Sequence, residues 1–401
     1  MLNKYFTINH FSGCPVIIII ISVFIQLSCR ETRQDASGED SLDDMSTLMF
    51  YTGSYAGEDE PGICLFEYDL TTGEFNKIQE LVGHINPSFL AVDAEAGFLY
   101  AVNETAGYDD ENSGSVTAFA IDKTSGKLSF INRQSSRGGH PCHISLIADG
   151  RFVAVANYSG GSVAVFPVLA DGSLQPASSF VKHQGSGPHE RRQRAPHAHS
   201  IYPINEGPWV FAADLGIDKV LIYKIDSEGN LTPGSATPSA AMEPGAGPRH
   251  LAFHPGGKWI YVLNELNSTV TRLLFDSDSG EAEVMESTST LPADYEGDNF
   301  CADIHAHPGG RFLYASNRGH NSIAVFELNH KGVPVLLGHE PVRGEWPRNF
   351  NIDPSGSLLF VANQNTGNIA VFKIDKETGL LDFTGSELEV SRPACIMFLS
   401  R

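Results

Sequence analysis

A short strand signature recurs seven times along this 401-residue chain, and a period of that kind leaves few folds open. Each copy begins on an aromatic or large aliphatic residue, continues through small and β-branched apolar residues, and stops at Asn or a near equivalent. The copies are Leu48–Gly53, Phe98–Asn103, Phe152–Asn157, Trp209–Asp214, Trp259–Asn264, Phe312–Asn317 and Leu358–Asn363, with ends 50, 54, 57, 50, 53 and 46 residues apart.

Companion strands fall in fixed order around each copy. Ahead of it lies a strand that starts at Pro and ends at a Pro-Gly or Asp-Gly turn, as in Pro248 to Gly256, with equivalent starts at Pro87, Pro141, Pro196, Cys301, Pro347 and Pro393. Behind it comes a Ser-Val-Ala-Val-Phe type strand, at Ser162–Phe166, Ser322–Phe326 and Asn368–Phe372, and then a more polar strand after a Gly, as at Gly126-Lys127-Leu128. Four short antiparallel strands per period, with no amphipathic helical stretch between them, predict an all-β chain folded as a seven-bladed β-propeller. Sandwiches lack so strict a period. Near the end, Pro393–Leu399 supplies only an innermost strand, whereas Leu48–Leu81 supplies the other three. The last blade is therefore expected to be shared between the two ends of the chain, which removes exposed sheet edges.

Residues 48–401 carry the propeller. Before them, the apolar run from Val16 to Ile25 is short for a bilayer span and reads as a signal-peptide core, and Leu27-Ser28-Cys29 closes it as a bacterial lipoprotein cleavage site does, with Gln26 departing from the usual aliphatic residue. Residues 1–29 are thus expected to be a lipoprotein signal peptide with Cys29 the lipidated residue, and residues 30–47, rich in Asp, Glu, Ser and Gly, a flexible tether. The expected location is the bacterial cell envelope, lipid-anchored or periplasmic, with the lipid as the sole membrane contact.

Twenty-seven Lys and Arg against 48 Asp and Glu leave a net charge of −21, which repels phosphate backbones and argues against nucleic acid as a partner. Past Cys29 the cysteines Cys64, Cys142, Cys301 and Cys395 form no Cys-x-x-Cys pair and no disulfide framework, and read as buried thiols. A closed ring needs no second copy for stability, so a monomer is expected.

In a propeller blade the innermost strand and its antiparallel neighbour bring two positions to one mouth: the residue after each Pro start and the residue after each Asn end. The first set is Ser88, Cys142, His197 with His199, Arg249, Ala302, Arg348 and Ala394; the second is Ser54, Glu104, Tyr158, Leu215, Glu265, Arg318 and Gln364. Three arginines, Arg249, Arg318 and Arg348, thus gather on successive blades of an acidic protein, an arrangement suited to an anionic ligand. His199 and Glu265 beside them are residue types that move a proton near neutral pH, and Asp214 and Asn317 are placed to orient them. Arg194, in the run Arg191-Arg192-Gln193-Arg194 just ahead of an inner strand, is expected over the same mouth. The pairs His197/His199 and His305/His307 have weak metal spacing, and His307, like His254, precedes a turn Pro and reads as a turn cap. No cofactor and no metal ligands are assigned, a divalent cation being at most a non-essential aid.

Tyr51-Thr52-Gly53-Ser54-Tyr55, Pro196-His197-Ala198-His199-Ser200, Ala213-Asp214-Leu215-Gly216, Gly247-Pro248-Arg249-His250, Leu263-Asn264-Glu265 and Ser316-Asn317-Arg318-Gly319 together resemble the seven-bladed propeller lactonase family, which includes bacterial 6-phosphogluconolactonases and the fungal carboxymuconate-lactonising enzyme. The resemblance spans residues 48–400. It implies functional residues His199, Arg249, Glu265 and Arg318, with His197 an alternative to His199. The arginines would bind anionic groups and the developing oxyanion, and His199, His197 or Glu265 would serve as base. The implied activity is a carboxylic ester hydrolase acting on a small anionic lactone, with His197, Arg194, Arg348, Asp214, Asn317 and Glu104 binding substrate. A cycloisomerase acting on a dicarboxylate, or a non-catalytic binding propeller, are the competing readings. Because 6-phosphogluconolactone arises in the cytosol, an exported member is expected to take an unphosphorylated sugar lactone or one bearing a carboxylate.

Overall fold

The computed structural model describes residues 46–110, 112–204, 207–234 and 236–399. The expected signal peptide, Cys29 and all but the last two residues of the 30–47 tether lie outside them. The described chain forms seven antiparallel sheets arranged as blades, with two single-turn 3₁₀ helices, at Tyr108–Asp110 and Leu215–Ile217. Numbered by their inner strands, blades 1 to 7 start from Leu90–Asp93, Pro141–Ile147, Ala198–Pro203, Pro248–Phe253, Phe300–Ala306, Pro347–Ile352 and Pro393–Leu399. The repeated signature is the second strand of every blade, and five of its seven copies coincide with the observed strands at both ends.

Blade 7 closes as expected. Pro393–Leu399 pairs with Thr47–Ser54, which pairs with Ile63–Asp69, which pairs with Phe75–Leu81. Six blades have four strands. In blade 3 the outermost strand is broken into Leu231–Pro233 and Ser239–Ala241, both paired with Lys219–Ile225, because Pro233 and Pro238 carry no N–H to donate to the ladder.

The core lies between blades. Second strands are buried on both faces, which is why they read as nearly unbroken apolar runs. Tyr51, Tyr100, Tyr261 and Tyr314 occupy the same position in their blades, are fully buried, and each donates its hydroxyl to a turn glycine carbonyl of the following blade: Gly126 (2.5 Å), Gly172 (3.2 Å), Gly332 (2.9 Å) and Gly379 (2.9 Å). A buried phenol needs such an acceptor, and the turn that supplies it runs through a glycine at positive φ.

The terminal Asn of the signature is also structural. Asn103, Asn157, Asn317 and Asn363 donate to the carbonyls of Ile85, Ser136, Thr290 and Val342, tying each second strand to the segment that enters the same blade's inner strand. His254 and His307 cap their turns, accepting from Gly256 and Gly309 and bonding to Gly310 and Gly356 in the next blade.

Candidate active site

Six inner strands carry an irregularity at the same place. The ladder slips by a residue between Pro141 and His143, Ala198 and Ser200, Pro248 and His250, and Pro347 and Asn349; it slips between Cys301 and Ile304, and again where Gly53 and Ser54 meet Cys395 and Pro393. A bulge leaves one residue unpaired and re-aims its side chain. The residues so released include Cys142, His199, Arg249, Arg348 and Ala394, a ring around one mouth of the channel. Register also separates the two candidate histidines: Ala198 faces Asp214 as Pro248 faces Asn264, so His199, not His197, is the counterpart of Arg249.

Glu265 is the hub. It follows Asn264 at the end of a second strand and is 3% exposed. One carboxylate oxygen lies 3.1 Å from Arg249 Nε and 2.9 Å from Arg318 Nη2, and the other 2.5 Å from Arg192 Nη2. Burial pushes its pKa up, but the guanidiniums of Arg318, Arg249 and Arg192 outweigh burial and hold it down at about 2. Arg318 is further fixed by Phe300 O and Cys301 O and lies over the Trp346 ring, 5.2 Å from its centre. Burial draws Arg318 down to about 9 against the pull of Glu265, and it remains a cation at neutral pH.

A second cluster stands nearby. Arg348 Nη2 donates to Tyr55 OH (2.5 Å), Tyr55 donates to Glu104 Oε2 (2.8 Å), and Ser88 donates to the same oxygen (2.5 Å). Four guanidiniums thus meet two carboxylates at this mouth, leaving an excess of positive charge in a protein of net charge −21.

His199 is 5% exposed, with Cys142 Sγ 3.9 Å from its Nδ1 and the Tyr158 ring edge-on at 5.4 Å. Burial, then Arg249, His250, Arg348 and Arg318, hold its pKa well below the usual imidazole value, so it is neutral at physiological pH. His197 stacks on Tyr158 at 4.5 Å, with its Nδ1 3.1 Å from the Tyr158 carbonyl. Cys142 is buried and burial raises its thiol, which makes it a poor nucleophile.

The remaining candidates sit elsewhere. Asp214 is fully buried and accepts from His197 N and Gly216 N while holding His183 at 2.6 Å; Asn317 is fully buried and bonded to Thr290 and Asn299. Both serve the fold's Asn position and turn their polar atoms inward. Arg194 is exposed and bonds back to Glu190 O. Its neighbour Arg192 is the one that reaches the hub, because Gln193 is buried and pins residues 183–197 through Leu215 O (2.8 Å) and Asp218 Oδ1 (2.6 Å). Arg192 and Tyr55 are the members of the site that the strand pattern did not single out, whereas Tyr158, directly after Asn157, was among the mouth positions it gave. A Gln in a run of arginines was the available signal. Among the described residues no three His, Cys, Asp or Glu side chains converge as metal ligands.

Residues 49–398 match the family model described as lactonase, 7-bladed beta-propeller. A 6-phosphogluconolactonase of Bacillus subtilis is 39% identical over 356 residues, 88% of this chain and 99% of the relative. A crystal structure of a putative 6-phosphogluconolactonase from Bacteroides fragilis superposes with a TM-score of 0.82 at 34% identity, covering 90% of this chain and all of that one. The periplasmic gluconolactonase of Pseudomonas aeruginosa superposes equally well, TM-score 0.82, at 31% identity over 88% of this chain and 99% of that one.

Proposed function

From the premise that this chain belongs to the seven-bladed β-propeller lactonase family, we propose that it is a lactone hydrolase that opens a small anionic sugar lactone with its own side chains. The observation that carries the reading is the convergence of Arg249, Arg318 and Arg192 on the buried carboxylate of Glu265, with neutral His199 on the same mouth.

Hydrolysis adds water to the lactone carbonyl and then breaks the ring C–O bond. Glu265 is a poor base, since a carboxylate held at about 2 has almost no affinity for a proton near neutrality; its task is to space and orient cations. His199 is the base. As a neutral imidazole it takes the proton of the attacking water, and the resulting imidazolium, disfavoured among arginines, passes it to the departing ring oxygen. Negative charge developing on the carbonyl oxygen falls beside Arg249 and Arg318, which are already in place and desolvated. Arg192, 32% exposed, and Arg348 are the cations open to an anionic substituent of the substrate. The product is a hydroxy acid, one charge more negative than the lactone.

The N-terminal pattern, together with the likeness to a periplasmic gluconolactonase, supports work in the cell envelope, tethered through Cys29, on an unphosphorylated or carboxylate-bearing lactone; a closed ring needs no second copy for this, and the proposed state is a monomer. The test is ring opening of glucono-1,5-lactone, 6-phosphogluconolactone and a uronic-acid lactone above the spontaneous rate, with His199→Ala and Arg318→Ala alongside. Each variant is expected to lose on the order of a hundredfold or more in kcat/KM while staying folded. If no lactone is accelerated by the wild-type protein, the hydrolase reading fails.

A further inference from the structure

Below the ring of bulged residues, a second layer of inner-strand side chains crosses the channel. His250 of blade 4, Asp303 of blade 5 and Asn349 of blade 6 are all buried, at 2%, 2% and 3% exposure. We propose that Asp303 and His250 form a buried positioning pair that aims Arg249 at the substrate. The proposal rests on the reading of Arg249 as a residue that contacts substrate.

The geometry runs in one direction. Asp303 Oδ1 lies 2.7 Å from His250 Nδ1 and accepts from Ile304 N at 3.0 Å, while Oδ2 receives Asn349 Nδ2 and stands 3.2 Å from His305 Nε2. Burial alone would raise this carboxyl, but His305 and His250 hold it well below the usual range, so it is an acceptor only. His250 must then carry its proton on Nδ1. Its Nε2 is left as a lone pair, 3.2 Å from Arg249 Nη1.

That contact completes the donor account of Arg249. Nη1 donates to His250 Nε2 and to Ala302 O, and Nε lies against Glu265. Among the described residues, Nη2 has no partner. The guanidinium is gripped on two sides and presents its remaining two N–H groups to the mouth. Burial, with Arg249 behind it, draws His250 down to about 4, so near neutrality it does not gain the second proton that would set donor against donor at Arg249. His143, Phe89, Tyr202 and His199 pack around His250, and none offers Nη1 a competing acceptor.

A pair that merely tied blades 4 and 5 together would affect stability and leave turnover alone. The full chain is therefore compared with His250→Phe, His250→Gln and Asp303→Asn, using lactone kinetics, thermal melting and nitrogen-15 NMR of the imidazoles. The wild-type spectrum is expected to show His250 as the Nδ1–H tautomer. His250→Phe should lower kcat by about tenfold or more with KM changed by less than about threefold, since an interaction made chiefly in the transition state is lost. His250→Gln, whose carbonyl can accept from Nη1, should recover most of that loss. Asp303→Asn keeps an acceptor for Nδ1–H and should fall between them. A folded His250→Phe with wild-type kcat, or an Nε2–H tautomer in the wild type, would overturn the proposal. If His250→Phe does not fold, the tautomer and the Gln and Asn variants decide. If the wild type hydrolyses no lactone, the hydrolase reading has failed separately, and inorganic phosphate titrated into the same proteins tests the pair alone: binding about tenfold weaker in His250→Phe supports it, equal binding sinks it.

Discussion

Glu265 and His199 divide the labour of this mouth because charge surrounds them differently. Glu265 touches three guanidiniums and stays ionised; His199 touches none directly, yet lies in their field and stays neutral. A base works only when deprotonated, so activity is lost as pH falls through the base's folded pKa. Burial first, then the neighbouring cations, lower that pKa for His199, so kcat/KM is expected to be level from pH 8 down to roughly 6.5 and to decline only below the ordinary imidazole range. Glu265, at about 2, contributes nothing to that limb. Arg348 is one of the cations depressing His199. Arg348→Gln should therefore shift the acid limb to higher pH, whatever it does to substrate affinity. A limb that stays put or moves lower in Arg348→Gln would remove His199 from the role of base.

At the scale of the strand, the site depends on a bulge repeated in six blades and on second strands stitched to their neighbours. The stitch can be weighed at Tyr314, whose hydroxyl meets Gly379 O at 2.9 Å with the ring fully buried. Tyr314→Phe keeps the packing and leaves one buried carbonyl without its donor, which is expected to cost about 1–2 kcal/mol in urea denaturation. Gly379→Ala should cost more: its φ is +73°, and an added Cβ would sit 2.3 Å from the Phe312 ring. Equal stability of Tyr314→Phe and wild type would show that the stitch carries no weight. Blade strands were legible in the sequence because burial on both faces writes an apolar run that can be counted. The Asn that ends each run was legible as a marker but not as a tie, since its partner carbonyl lies 18 to 27 residues away along the chain. That distance is why Asp214 and Asn317, at the tie position, read as mouth residues. Arg249, Glu265 and Arg318 could be aligned from strand ends alone, and His199 only as one of the pair His197 and His199. Arg192 could not, because its reach depends on Gln193 being buried in a long connection, and the one-residue slip that selects His199 over His197 leaves no trace in composition.

For the whole molecule, ring closure decides whether the mouth exists. The site draws Arg192 from the connection into blade 3, Arg249 and Glu265 from blade 4, Arg318 from blade 5, Arg348 from blade 6 and Tyr55 from just past the second strand of blade 7. The Arg348–Tyr55 bond spans 293 residues of sequence, and it forms only when Pro393–Leu399 lies between blade 6 and Thr47–Ser54. That closing strand buries Cys395 and Ile396, and Phe398 packs with Phe50 and Phe360, at ring separations of 6.1 and 5.2 Å. Asn349 also grips it, accepting from Ile396 N at 2.8 Å. Deleting residues 393–401 removes these contacts together and leaves Thr47–Ser54 as an unpaired edge of apolar residues. The truncated protein is expected to melt at least several degrees lower and with less cooperativity, to self-associate through the bared edge, and to lose activity in step. Addition of a synthetic peptide covering 393–401 should restore part of the thermal stability, because the missing piece is one strand with a defined seat. A truncated chain that melts like the full one, by calorimetry at equal concentration, would mean that the ring does not depend on its closing strand.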